Sequence, residues 1–260
     1  MEHLVVTRSF ACDKLEVLLY PDRDQAGAEG AAIAAAVIRQ EIARHGDAAI
    51  VLASAVSQDP FLAALRAQQD VEWKLVTVFH LDEYAGMSAD HPASFRRFQR
   101  ERVIDHLPLR AFHPLAGDAP DLEAECRRYA SLLHEAQPCL TALGIGENGH
   151  LAFIDPPVCR FDDPQDVRVV DLDDVCRMQQ VHDGAFDRIE SVPKRALSLT
   201  VPFFLRVPRA LVFVNGPNKA AAVKAALEGP VAESCPASAL RRHPSATLFL
   251  DPGAASALQA

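Results

Sequence analysis

Glu147, Asn148, His150 and Asp155 crowd into one short stretch, LGIGENGHLAFIDPP (Leu143 to Pro157), behind an apolar run that ends in Gly144-Ile145-Gly146. An imidazole, with histidine's ordinary pKa of about 6.5, can take or give a proton near neutrality, and a carboxylate beside it can orient the ring and stabilise its charged form. A second acidic group, Asp82, opens the triplet DEY. A partly desolvated carboxylate of that kind suits the work of a general base. Two further polar clusters, ASAVSQ (53–58) and NGPNK (215–219), contribute the hydroxyls of Ser54 and Ser57 and the ammonium of Lys219. Each cluster alone is weak, and a loop histidine, a helix-capping aspartate or a solvated lysine would explain any one of them.

Their place in the chain is what ties them together. Apolar runs read as strands: KLEVLLY (14–20), AAIVLA (48–53), KLVTVFHL (74–81), CLTALGIG (139–146), ALSLTV (196–201), ALVFVN (210–215) and ATLFL (246–250). Helical patterns alternate with them. Pro21 and the capping-box spacing from Asp22 to Gln25 open a helix in which Ile33, Val37, Ile38 and Ile42 recur at helical spacing, and Gly46 closes it. DPFLAALRA, PASFRRFQRERVIDHL with Pro92 in its first turn, DLEAECRRYASLLHEA, DVCRMQQV and NKAAAVKAALEG continue the series. Strands alternating with helices imply an α/β fold: one doubly wound, mostly parallel, Rossmann-like sheet with helices on both faces. With no repeat or linker in view, a single domain over residues 1–260 is expected. The polar clusters then fall at the carboxyl ends of predicted strands, where open parallel sheets bind ligands.

Bulk properties narrow the function. There are 26 Lys and Arg against 35 Asp and Glu, a formal net charge of −9 with the cations scattered. Phosphate-backbone binding needs a concentrated basic face, so nucleic acid is not an expected partner, whereas a small anion held by a few local cations is compatible. The longest apolar stretch, EGAAIAAAVI, falls short of the roughly 20 residues that span a bilayer, so no membrane association is expected. Cys12, Cys126, Cys139, Cys159, Cys176 and Cys235 form no C-x-x-C pair, and the chain opens without a signal-peptide pattern. They read as reduced thiols of a cytoplasmic protein, with no spacing for a metal site and no cofactor implied. A homo-oligomer is left open.

Read in order, HLDEYAGMSADHPASF (80–95), GIGENGHLAFIDPP (144–157), VPKRALSLTVP (192–202), GPNKAAAVKAALEG (216–229) and CPASALRRHPSATLFLD (235–251) resemble the glucosamine-6-phosphate deaminase family, within the superfamily shared with 6-phosphogluconolactonase. The resemblance implies an aldose–ketose isomerisation with loss of the 2-amino group as ammonia, taking glucosamine 6-phosphate to fructose 6-phosphate. It places Asp82 as the base that moves a proton between C2 and C1. His150 becomes the relay between anomeric hydroxyl and ring oxygen, with Asp155 behind it, and Lys219 the phosphate-binding lysine. LDEY and HLAFIDPP follow the deaminase branch; a lactonase would show a D-E-R-like element and a glycine after the proline. A lactone hydrolase and a non-catalytic sugar-phosphate sensor are the rival readings.

The chain also departs from the family pattern. Asn148 stands where Asp is usual; it donates and accepts hydrogen bonds but adds no charge. Asp155 stands where Glu is usual, one methylene shorter. Ser54-Ala55-Val56-Ser57-Gln58 replaces a glycine-rich T-G-[GS]-T-P-like phosphate loop, although the helix that follows would still favour an anion by roughly 0.3–1 kcal/mol. No arginine stands at the family's second phosphate-binding position, which leaves Arg177 as the substitute candidate, with Arg241, Arg242 and His243 near the last strand divided between a site and a solvated face.

Overall fold

The computed structural model describes residues 5–259. Eleven strands and seven α-helices follow one another as β1 (Arg8–Cys12), β2 (Leu15–Leu19), α1 (Arg23–His45), β3 (Ala48–Leu52), α2 (Asp59–Arg66), β4 (Val76–His80), β5 (Asp82–Tyr84), α3 (Phe95–Arg102), β6 (Ala111–His113), α4 (Leu122–Ala136), β7 (Leu140–Leu143), β8 (Val167–Asp171), α5 (Asp174–His182), β9 (Arg195–Leu199), α6 (Val201–Arg206), β10 (Arg209–Val214), α7 (Ala220–Glu228) and β11 (Ala246–Leu250).

Eight strands form a mixed sheet in the order β1-β2-β11-β10-β7-β3-β4-β6, parallel throughout except for the β1–β2 edge pair. Period-two alternation buries both of its faces. On β3, Ile50 and Leu52 join the core beneath α1 and α2, while Ala49 and Val51 join the opposite core with Tyr129 of α4 and Val223 of α7. A stack of Phe61, Phe213 and Phe249, with centroids 4.6 and 4.9 Å apart, fills the first of these layers. From β3 the chain winds outward through β4 to β6; it then returns to β7 on the other side of β3 and winds the opposite way to β10 and β11. The crevice at this reversal, beyond the carboxyl ends of β3 and β7, is where such sheets take their ligands.

Several helix ends follow the caps read from sequence. The Asp22 side chain accepts from the amides of Asp24 and Gln25, and Gly46 ends α1 at φ 88°. The buried face of α1 differs from the apolar spacing, however. Small residues, Ala26, Gly27, Gly30, Ala31, Ala34 and Ala35, bury fully with Ile38, while Ile33, Val37 and Ile42 are only partly covered. The close approach of α2 and the Phe213 ring selects small side chains there. The helix expected over 92–107 is shorter: Ser94 caps α3, so Pro92 precedes the helix.

The single expected sheet becomes two. Asp82–Tyr84 is itself a strand, and β5, β9 and β8 form a separate antiparallel sheet in that order. Only Leu81 separates it from β4, bonding to the main sheet through Leu52 O and to β9 through Leu199 N. A three-residue strand such as β5 or β6 has too little apolar pattern to announce itself, and β1, with mostly exposed residues, has no continuous apolar run. Among the described residues, no helix is long and apolar enough to cross a membrane.

Candidate active site

Strand ends β3, β4, β7 and β10 converge on one cavity of about 360 Å³, within the usual range for a small-molecule site. Asp82 enters from β5, Ser54 and Ser57 from the turn after β3, His150 from the loop after β7, and Lys219 from the turn between β10 and α7. Phe95, Phe98 and Phe153 supply apolar wall.

The triplet at 82–84 divides its work by strand alternation. Asp82 faces the cavity, buried, with no hydrogen-bond donor to its carboxylate among the described residues. Burial, reinforced by neighbouring Glu83, pushes its pKa well above the ordinary carboxylate value. Glu83 points the other way. Its carboxylate accepts from Ser94 Oγ at 2.7 Å, from the amides of Phe95 and Arg96, and from Arg96 Nε. Thus Glu83, not Asp82, anchors the start of α3, where a negative charge is favoured by the helix dipole. Tyr84 donates its hydroxyl to Gln180 Oε1 at 2.7 Å, joining the small sheet to α5.

The loop from Gly144 to Pro157 folds around His150. Gly149 adopts φ 84°, a left-handed conformation that suits glycine. Gly146 is required for another reason: a Cβ there would lie 2.2 Å from the His150 ring. Asp155, fully buried, takes three approaches. Asn148 Nδ2 donates to Oδ1 at 2.9 Å, the Asp173 amide donates to Oδ2 at 3.0 Å, and His150 Nδ1 lies 3.1 Å from Oδ1. The last contact is off the hydrogen-bond axis, so Nδ1 itself has no hydrogen-bond partner. Burial pushes the Asp155 pKa up, but His150, Asn148 and the Asp173 amide more than offset it and hold the carboxyl below its ordinary value. Asn148 also donates to Asp173 Oδ2 at 3.0 Å and accepts from the His150 amide. It bridges two carboxylates from behind the histidine and is not part of the cavity wall.

Lys219 is nine-tenths buried and within 4 Å of no carboxylate among the described residues. Burial lowers its pKa, with Asp183 and Glu147 partly opposing. A buried ammonium without a counter-ion, facing a cavity, is prepared for an anion.

Residues 21–249 match the profile of the glucosamine-6-phosphate isomerases/6-phosphogluconolactonase. The chain is 36% identical over 231 residues to glucosamine-6-phosphate deaminase 1 of Bacillus subtilis (strain 168), covering 86% of this chain and 93% of that one. It is 33% identical over 231 residues to the deaminase of Streptococcus sanguinis (strain SK36), covering 89% and 95%. The solved structure of a monomeric glucosamine-6-phosphate deaminase superposes with a TM-score of 0.85 at 32% identity, covering 93% of this chain and 99% of that one. The 6-phosphogluconolactonase of Thermotoga maritima, at 19% identity and a TM-score of 0.72, shares the fold over 92% of this chain and all of that one.

The chain belongs to the glucosamine-6-phosphate isomerase/6-phosphogluconolactonase family.

Within that family frame, two expectations need correction. Arg177 is not in the cavity: its guanidinium donates to Asp174 Oδ1 and to the carbonyls of Ile189 and Val192, stapling α5 to the turn that follows it. The anion-favouring start of α2 already carries Asp59, paired with Arg102 at 2.6 Å, so it offers no vacant positive end. The glycine-poor loop nevertheless folds without strain. Val56–Gln58 forms a 3-10 turn, and no residue from 54 to 58 has positive φ. Ser54 Oγ accepts from Gln99, while Ser57 faces the cavity with its hydroxyl beside Gln58. Arg241 ties Asp13 to Gly229, Arg242 stacks over Phe161 and His243 bonds the Val207 carbonyl, all away from the cavity. Sequence reasoning missed Asp173, which caps α5 and completes the cluster behind His150, and Gln180, which links Tyr84 to the cavity wall. The Asp173 signal, an N-cap aspartate before a helical run, is legible; its contact with Asp155 spans two elements and is not.

Proposed function

We propose that the protein is a single-domain amino-sugar-phosphate isomerase/deaminase that converts glucosamine 6-phosphate and water to fructose 6-phosphate and ammonia. The observation that carries this reading is the gathering of Asp82, His150 and Lys219 around one crevice, with no protein donor on the Asp82 carboxylate and no carboxylate within 4 Å of Lys219 among the described residues. His150, backed by Asp155, passes a proton between the anomeric hydroxyl and the ring oxygen, opening the sugar. Asp82, unpaired and partly desolvated, removes the C2 proton of the open aldehyde and returns it to C1. The imine left at C2 takes up water and loses ammonia. Lys219 holds the phosphate at the far end, helped by Ser54 and Ser57. Asn148 and Asp155 act through His150 as positioning residues.

Every step moves protons or water, so no electron carrier is called for. Five of the six unpaired cysteines are buried, which supports a reducing, cytoplasmic setting. Incubation with glucosamine 6-phosphate should release ammonia, while 6-phosphogluconolactone should be opened no faster than in buffer. Acid release from the lactone without ammonia from the amino sugar would reverse the assignment. Tight sugar-phosphate binding with neither product would make the protein a sensor.

A further inference from the structure

The proton relay behind the cavity contains a group that the reaction does not use. Cys176, the third residue of α5, is buried beside His150 and Asp155. One ligand atom from each of these three side chains lies within 4.8 Å of the other two. Cys176 does not line the cavity. Nδ1 of His150, over nine-tenths buried, points into the cluster without a hydrogen-bond partner. An unpartnered imidazole nitrogen, an ionised carboxylate and a thiol make a mixed nitrogen, oxygen and sulfur donor set.

We infer that His150, Asp155 and Cys176 form a binding site for a thiophilic divalent cation of the zinc class, and that occupancy switches the enzyme off. Zinc is held tetrahedrally at about 2.0–2.3 Å by these ligand types, which sets them roughly 3.3–3.7 Å apart. His150 Nδ1 and Asp155 Oδ1 are already 3.1 Å apart, and an approach of Cys176 Sγ by about 1 Å would seat the ion. Three protein ligands leave a fourth position for water. Asp173, linked to Asp155 through the Asn148 amide, adds negative charge behind the site. Binding forms metal–sulfur and metal–nitrogen bonds, breaks the S–H bond of Cys176 and the Nδ1–H bond of His150 that faces Asp155, and releases both protons to solvent. The bound ion occupies Nδ1 and Oδ1 together, which fixes the imidazole and removes the carboxylate that supports its charged form. No spacing in the sequence could announce this site, because its ligands come from the loop after β7 and the first turn of α5.

The inhibitory half rests on the deaminase reading; the binding half does not, and the experiment separates them. Cobalt(II) is titrated into the full-length, metal-free protein as an optical probe. A thiolate-to-cobalt charge-transfer band in the near ultraviolet, saturating at one ion per chain, is expected, and it should vanish in Cys176→Ser and in Cys176→Ala. Zinc affinity, measured by competition with a chromophoric chelator, should fall by at least roughly 10–100-fold, the scale on which even outer partners of metal ligands act. Turnover of the metal-free variants should match the parent, while zinc that silences the parent should leave them active and a chelator should restore the parent. Absence of the charge-transfer band in the parent would overturn the site, whether or not the variants fold. Equal zinc affinity in parent and folded variant would overturn it as well. A normal band in a protein that releases no ammonia would leave the site standing and remove the deaminase reading.

Discussion

Asp82 and Asp155 are both buried residues, one at the cavity wall and one behind it, yet their surroundings are opposite. Asp155 accepts from an amide side chain and a backbone N–H, and with the imidazole beside it at 3.1 Å these hold it ionised. Asp82 has none of these, and burial raises its affinity for a proton. Two neighbouring carboxylates driven apart in this way can do different work at one pH. A fixed negative charge that orients a histidine must stay ionised and still. A base that takes a proton from carbon gains from being poorly solvated. The structure thus separates positioning from proton transfer by how many donors it gives each side chain.

The sharpest way to break this comparison is to neutralise each carboxylate in turn. Asp82→Asn should lower turnover by roughly 10²–10⁴-fold, the scale of general-base loss, and should not lower the melting temperature at pH 7. A folded pKa raised above the unfolded one means that Asp82 favours folding at low pH and opposes it once pH climbs past the unfolded value. Asparagine removes that opposition. Near-parental turnover would strip Asp82 of its role as the base.

Asp155→Asn should behave the other way, losing about 1–3 kcal/mol of stability as two donors face an amide that cannot accept from both. Its depressed pKa contributes stability that is present above the unfolded carboxylate value and is lost as pH falls through the folded one. Chemical denaturation at pH 7 and again well below the ordinary aspartate value of about 3.9 would show the mutational loss shrinking in acid. A loss of equal size at both would mean that the carboxylate's charge is not what its donors hold.

Less of the molecule was legible around these residues than in the sheet that carries them. Regular apolar strands, the Asp22 cap and Gly46 announce themselves because local propensity and burial agree. The placing of Asp82, His150 and Lys219 at strand ends followed from that frame. Glu83 could not be told from Asp82 by composition; only the alternation of a three-residue strand decides which one meets the cavity. Arg177 looked like a free cation because its partners, Ile189 O and Val192 O, are backbone atoms without a sequence signature. Asn148, a lost charge when read alone, becomes a bridge once Asp173 is folded against it.

That bridge gives a smaller test. Asn148→Asp removes two donated hydrogen bonds and sets a third carboxylate against Asp155 and Asp173, so about 1–3 kcal/mol of stability should go. Adding Asp173→Asn restores the number of charges and should recover part of the loss, read as a coupling energy in a double-mutant cycle. Simple additivity would mean that Asn148 and Asp173 act independently.

The least disruptive test needs no mutation. With Asp82 as the base, the acidic limb of kcat/KM should lie above the ordinary carboxylate range, because its folded pKa is raised. At the alkaline end, KM for the phosphorylated sugar should climb at lower pH than an ordinary lysine would give, because burial depresses Lys219. A control with a neutral sugar analogue should lack the alkaline effect. An acidic limb in the ordinary carboxylate range would close the gap between Asp82 and Asp155.

The parallel pairing of β2 with β11 joins residues 16–19 to residues 247–250. During synthesis, β2 emerges long before its partner on that side exists, and β10 also waits for β11. Both edges therefore stay open until nearly the whole sheet has left the ribosome, and contacts of such sequence separation form slowly. A chain cut before β11 would keep the Asp82 and His150 segments and still expose two bare strand edges, which are templates for association with other chains. Shortening the protein from that end should yield aggregates in place of a smaller enzyme.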